Sequence, residues 1–145
     1  MTNYPFMNPS LYASKVEQKE LRLAEEYAWN YEKQEFKFKD GKFYKVTEKE
    51  AIKIWLWKLF QTPRFRYRVY NGDYGEELRT LIGRGYTQGL VYSEARRYVL
   101  EAIEYNLSSY VTDIKNFEVK FNNGVLTVRF QAITPYGNLI WEGGI

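Results

Sequence analysis

The sequence predicts an α+β fold: a small antiparallel or mixed sheet, two main helices, a C-terminal β-hairpin and a β-rich N-terminal extension. Three observations carry that prediction. Asp40-Gly41 and Asn122-Asn123-Gly124 are hairpin-turn sequences set between stretches of alternating apolar and polar residues. Residues 47–60 and 91–107 instead show helical spacing of their apolar positions. The order is a β-rich start, a helix, a short helix, a long helix and a hairpin.

Residues 1–20 read as an extended arm, with Pro5 and Pro9 and no apolar period. A disordered terminus and a tail docking through Tyr4, Phe6 and Tyr12 both fit it. Residues 21–145 read as one α+β domain. Leu21, Leu23, Tyr27, Trp29 and Tyr31 all occupy odd positions, a strand period, and Phe36 and Phe38 alternate likewise. Strands are expected near residues 21–31, 35–39 and 42–46.

Thr47-Glu48-Lys49-Glu50 has the spacing of a capping box, so a helix is expected to start at Thr47 and run to about Phe60. Ala51, Ile54, Trp55, Lys58 and Leu59 share a face, and Leu56, Trp57 and Phe60 widen the apolar surface beyond one stripe. Such a helix is either central or touches a partner. Gln61-Thr62-Pro63 ends it, because the residue before proline avoids the helical region.

Arg64, Arg66 and Arg68 alternate with Phe65, Tyr67 and Val69, giving a ribbon with one basic and one apolar edge. A strand edge guarded by charge, or a seat for an acidic protein, accounts for it better than single-stranded nucleic acid does. Residues 73–83 then read as a turn opening a short helix. Asp73 or Gly75 caps it, Glu76 and Glu77 sit in its first turn, Leu78, Leu81 and Ile82 form its buried stripe, and Gly83 closes it. The glycines of Arg84-Gly85-Tyr86-Thr87-Gln88-Gly89 lack the strand–loop–helix setting and lysine of a phosphate loop, and read as loop punctuation.

The second long helix places Ala95, Val99, Ala102, Ile103 and Asn106 on one face and Glu94, Arg97, Glu101 and Glu104 on the other. Phe117, Val119 and Phe121 then alternate up to the Asn-Asn-Gly turn, and Leu126, Val128, Phe130 and Ala132 alternate on the return. Pro135-Tyr136-Gly137-Asn138 breaks the run, and Leu139-Ile140-Trp141 offers a last short strand. An exposed terminal strand is a template for another chain.

Composition narrows the chemistry. The chain has no cysteine and no histidine, which removes thiolate metal sites, the commonest general base and the commonest zinc ligand, and so Ser–His, Cys–His and His-ligated metal chemistry. A net charge of +3 is too small to argue for nucleic acid. No apolar run is long enough to span a bilayer, and the first residues lack signal-peptide character, so a cytoplasmic soluble product is expected. No cofactor, metal or catalytic residue is expected. Aromatics make up 19% of the residues, too many for the interior of so small a domain, which assigns some of them to interfaces.

Several pieces, in order, resemble the lysozyme-like wedge proteins of contractile phage-tail baseplates, in the branch of Gram-positive defective prophages and R-type bacteriocins. They are residues 50–58 (Glu-Ala-Ile-Lys-Ile-Trp-Leu-Trp-Lys), Thr62-Pro63-Arg64-Phe65-Arg66-Tyr67, Asn71-Gly72-Asp73-Tyr74-Gly75-Glu76-Glu77-Leu78, Leu81-Ile82-Gly83, Glu101-Ala102-Ile103 and Ile114-Lys115-Asn116-Phe117-Glu118-Val119. The resemblance spans about residues 27–141. It implies a structural protein in six copies per baseplate, carried in a virion or bacteriocin particle and assembled in the bacterial cytoplasm. The implied partners are the larger wedge proteins, the tail tube and hub proteins, and the tail sheath protein, whose first ring it starts.

By similarity to relatives that include the type VI secretion baseplate component, residues 115–133 and the strand after them would face the sheath, and the helices the wedge. The residues assigned to these contacts are Arg64, Arg66, Arg68, Tyr74, Glu76, Glu77, Ser108, Ser109, Tyr110, Leu126, Val128, Phe130 and Trp141. Many relatives carry Glu-Pro-Arg after the long helix, where this chain has Ser108-Ser109-Tyr110, so only the location carries over.

Two alternatives belong to other classes. A peptidoglycan glycosidase would need facing carboxylates with separated pKa values, from Asp73, Glu76 and Glu77. Adjacent glutamates diverge on a helix, and a helix start would lower their pKa values, the wrong direction for a general acid. A single-strand nucleic-acid module would use Arg64, Arg66 and Arg68.

Overall fold

The computed structural model describes residues 21–63 and 74–144. The expected arm at residues 1–20, Asp73 and the Arg64, Arg66 and Arg68 ribbon lie outside the described residues. Among the described residues the fold is α+β, with two helices, three two-stranded ribbons and a C-terminal three-stranded sheet.

The N-terminal ribbons come from six short strands: β1 (Glu25–Tyr27), β2 (Trp29–Asn30), β3 (Glu35–Phe36), β4 (Phe38–Lys39), β5 (Lys42–Phe43) and β6 (Lys45–Thr47). β1 pairs with β6, β2 with β3 and β4 with β5, all antiparallel. Each of the three extended stretches therefore pairs with both others. Ala28 is the junction: its N–H donates to Tyr44 O and its carbonyl accepts from Lys37 N–H, each at 2.9 Å. Asp40 and Gly41, at φ 52° and 74°, form the two-residue loop between β4 and β5, the turn in which both positions require positive φ.

Over residues 21–28 the side-chain parity is opposite to that implied by their apolar alternation, whereas Trp29 and Tyr31 are half-buried against Trp57. Ala24 and Ala28 are buried, whereas Leu21, Leu23 and Tyr27 are exposed. The cause lies across the chain. The even side of β1 faces α1 (Lys49–Gln61), which buries Ala24 and Ala28 and half-buries Glu26. Glu26 accepts from Trp55 Nε1 at 3.1 Å and from Lys58 Nζ at 2.9 Å.

The capping box at Thr47 does not form. Thr47 stays in β6 opposite Glu25, and α1 starts after Glu48, which has φ 60° and makes no side-chain cap. Strand pairing claims the residue that would have capped. Glu48 N–H instead donates to Ala24 O at 2.9 Å, closing the strand-to-helix corner. Helix α1 buries Ala51, Ile52, Ile54, Leu56, Leu59 and Phe60, more than one stripe, and packs on the C-terminal sheet and on β1 and β6. Each of its large apolar side chains contributes about 1.5–3 kcal/mol by leaving water, so α1 is the central element.

The expected helix at residues 73–83 is only a 3-10 turn, Leu78–Leu81, which buries Leu78 and Leu81. Helix α2 (Gln88–Leu107) starts three residues earlier than its periodicity implies, because Thr87 caps it by accepting from Leu90 N–H at 3.3 Å. Its buried face is Ala95, Val99, Ala102 and Ile103. Its wet face carries Arg97 paired with Glu94 at 2.6 Å and with Glu101 at 3.6 Å.

β7 (Asp113–Asn122), β8 (Val125–Thr134) and β9 (Gly137–Gly144) form an antiparallel sheet in that order. Asn123 and Gly124, both at positive φ, turn β7 into β8. Its inner face contributes Ile114, Phe117, Leu126, Val128, Phe130, Ala132 and Trp141 to the core shared with both helices. Phe60 of α1 meets Trp141 at 4.8 Å and Phe130 at 6.1 Å between ring centroids.

Two tyrosine hydroxyls fasten the start of the described chain to this core. Tyr136 OH accepts from Ala24 N–H at 3.0 Å, and Tyr110 OH donates to Arg22 O at 2.9 Å.

Candidate assembly interface

β8 is paired on both sides, so only β7 and β9 have outer edges, and no strand among the described residues covers either. The two edges are built differently. β7 carries Asp113, Lys115, Glu118 and Lys120, and its register slips between Lys115 and Glu118. Two residues there oppose one on β8, with Asn116 at φ 52°. A bulge and a row of charges are the usual guards against edge-to-edge pairing.

β9 has neither guard. It stays in register with β8 over its whole length, from Gly137 opposite Thr134 to Gly144 opposite Thr127. Its one charge is Glu142, whose partner Arg129 is on β8 at 4.0 Å, and Ile140 is 58% exposed. A regular, nearly uncharged edge with no strand paired to it among the described residues has the features of a template for a strand from another chain. Trp141 beneath it, packed on Phe60 and Phe130, fixes the strand against the core.

Several residues assigned to contacts from sequence prove to be interior. Leu126, Val128, Phe130 and Trp141 are core side chains. They support the strands, and the exposed side chains of β9 are Asn138, Ile140 and Glu142. The strand period carried that signal: with Trp141 inward, its neighbours face out.

Glu76 is 2% exposed. Its carboxylate accepts from Leu78 N–H and from Arg79 Nε, the latter at 3.1 Å. Its own N–H donates to Thr62 O at 2.9 Å, beside the bridge of Pro63 to Glu76. The expected lowering of its pKa is reversed. Burial pushes the carboxyl up, and the bonds from Leu78 and Arg79 only partly oppose this. Glu76 thus ties Thr62 and Pro63 to Leu78 and Arg79, and both its carboxylate oxygens are engaged.

Tyr74 is half-buried and lines a cleft of about 230 Å³ with Trp55, Lys58, Leu59, Asn106 and Leu107. Glu77 is half-buried, its carbonyl accepting from Thr80 N–H at 3.0 Å. Ser108 and Ser109 are exposed at the end of α2. Tyr110 is half-buried, its ring 5.0 Å from Trp55 and its hydroxyl on Arg22.

Among the described residues, no cluster of three or more Asp or Glu could hold a metal ion, and no helix is long and apolar enough to cross a membrane.

A small α+β domain with one guarded and one receptive strand edge is thus the frame. Over residues 25–137 the chain matches the contractile injection system sheath initiator family, and it belongs to that family. No curated protein is a significant match to the chain.

Proposed function

We propose that this protein is a non-enzymatic assembly component of a contractile tail. It joins the larger wedge proteins around the tube and hub, six copies to a baseplate, and offers the outer edge of β9 to a strand of the first sheath ring. The particle is a phage tail or an R-type bacteriocin, put together in the bacterial cytoplasm. The observation that carries this reading is the contrast between the bulged, charged edge of β7 and the regular, nearly uncharged edge of β9. Main-chain bonding along such an edge supplies affinity without any reaction.

The test is co-expression with the neighbouring sheath and wedge genes, followed by size exclusion. Wild type is expected to co-elute with both partners. Replacing both Asn138 and Ile140 by lysine guards the edge and should abolish sheath co-elution while wedge binding persists. Sheath association that survives this change would refute the reading. The glycosidase alternative has no support in the position of Glu76, which is sealed from substrate. A peptidoglycan turbidity assay should show no clearing, and clearing abolished by Glu76→Gln or Glu77→Gln would reinstate an enzyme.

A further inference from the structure

The open edge of β9 has two cations beneath it. Helix α1 runs under this strand, from Lys49 below Gly137 to Phe60 against Trp141. A Cβ at position 137 would lie 3.1 Å from Lys49 Cε and 3.2 Å from Lys49 Nζ. Glycine there leaves room for the ammonium against the strand's backbone. Lys53 follows one turn along the same stripe of α1. Ile52, Leu56 and Leu59, almost wholly buried, mark the flank of α1 turned to the core, so half-buried Lys53 marks the flank that extends past β9.

Neither lysine is neutralised among the described residues. Lys49 makes no hydrogen bond or ion pair there, and the one polar contact of Lys53 is the face of Tyr31, 5.5 Å from the ring centroid. Glu48 and Glu50, their nearest carboxylates in sequence, pair with neither. Glu142, the one charge of β9, lies toward the strand's other end beside Arg129. Helix stability does not account for Lys49, because a cation in the first turn opposes the helix dipole.

The backbone fixes which side of an added strand these lysines meet. Ile133 O accepts from Thr112 N–H at 3.0 Å and is thus turned to β7. Ile133 and its partner Asn138 therefore exchange no bonds. Along the unbroken register the same holds for Gln131 with Ile140 and for Arg129 with Glu142. Asn138, Ile140 and Glu142 thus turn their N–H and C=O groups to the open side. Residues of an added strand that bond them project onto the outer face, beside exposed Ile140. Those in between project inward, over α1.

We infer that the strand received at β9 carries an acidic residue on its inward side, level with Gly137 and Leu139, whose carboxylate meets Lys49 and Lys53. The adjacent residue is apolar and lies outward beside Ile140. The inference rests on the sheath reading of β9 and adds the chemistry by which the strand is chosen. A neutral strand would bond the same backbone groups but cover both ammoniums without a partner, which is costly. A basic strand would add repulsion to that cost.

The test uses the full-length protein and fluorescein-labelled eight-residue peptides of threonine and valine, alike except for one central Glu, Gln or Lys, read by anisotropy. The Glu peptide should bind at least ~3-fold tighter than the Gln peptide, the margin of partly exposed ion pairs, and the Lys peptide should bind weakest. These differences should shrink as salt rises. Bound peptide should slow hydrogen exchange at the amides of Asn138, Ile140 and Glu142. Lys49→Glu, which suits a helix start and so spares the fold, should erase the preference, and adding Lys53→Glu should reverse it. The inference is overturned if the Glu peptide does not bind, if the three peptides bind equally, if the preference survives the double change, or if those three amides stay unprotected. Sheath co-elution without any charge preference among the peptides sinks this inference alone. A Glu preference at β9 without sheath co-elution leaves the strand chemistry standing and removes the sheath as its source.

Discussion

Replacing Gly143 by alanine tests how the receptive strand is held. Gly143 stands opposite Val128, two residues beyond Trp141 on the same face of β9. The Trp141 indole folds over it, so a Cβ at position 143 would lie 2.7 Å from Cζ2 and 3.2 Å from Cζ3. Ordinary carbon contacts need about 3.5–4 Å. The ring has nowhere to go, being 3% exposed and 4.8 Å from Phe60 and 5.4 Å from Phe130. Overpacking a core costs about 1–3 kcal/mol, and expelling a buried tryptophan about 3–5 kcal/mol. The expected loss is therefore roughly 2–4 kcal/mol, or on the order of 8–16 °C in Tm for a chain of this size. Urea titration followed by far-UV circular dichroism measures it. Gly144→Ala is the control, because its Cβ meets only Val125 Cγ1, at 3.2 Å, and Val125 is exposed and free to give. It should cost less than about 0.5–1 kcal/mol, the low end of overpacking. In a Trp141→Leu background the obstruction is gone, and Gly143→Ala should be nearly silent, a coupling of about 2 kcal/mol. An equal cost in both backgrounds, or a cost below about 0.5 kcal/mol in the native one, would refute the packing account.

Two further outcomes follow from buried polar groups. Burial raises the Glu76 carboxyl above 4.5, so folding takes up a proton between that value and the raised one, and the cost of its buried charge disappears as pH falls through this window. Wild type should thus gain stability relative to Glu76→Gln on acidification there, measured as urea midpoints against pH, and the opposite slope would count against it. Glu26 runs the other way. Burial works to raise its carboxyl, but Lys58, Tyr27 N–H and Trp55 together hold it below 4.5, so its contribution is lost as pH drops through the lowered value. Tyr31 OH is buried with no hydrogen-bond partner among the described residues, and burial, then Glu50, pushes its pKa up to about 12. Tyr31→Phe should leave stability unchanged or raise it by up to ~1 kcal/mol in thermal melts, whereas a loss of that size would reveal an acceptor.

Local chemistry made much of the fold legible. Asp40-Gly41 and Asn123-Gly124 turn where their types demand, and the alternation of Leu126, Val128, Phe130 and Ala132 gives the inner face of β8. The buried face of α2 also follows its spacing. What failed depended on distant partners. Thr47 was lost to Glu25, the even parity of residues 24–28 was set by α1, and the bulge at Asn116 put Ile114 and Phe117 on one face three residues apart. The candidate site was less legible for a related reason. Apolar residues announce themselves by pattern, as Trp141 does, whereas an edge is defined by the absence of a neighbour, and Ile140 and Asn138 carry no mark of their own. The Arg79 partner of Glu76 is at the legible i,i+3 spacing, but nothing nearby in sequence reveals that Thr62, fourteen residues back, bonds its N–H and that its carboxylate is buried.

The unequal borders of the C-terminal sheet limit how the protein can multiply. A sheet receptive on both sides can stack copy upon copy into a fibre. Here the bulged border refuses a neighbour, so two copies meeting at β9 would exhaust each other, and a foreign strand seated there leaves nothing for a third. On the proposed reading, growth past that first addition is carried by whatever was added, and the protein acts as a one-way seed and not as a polymer of itself.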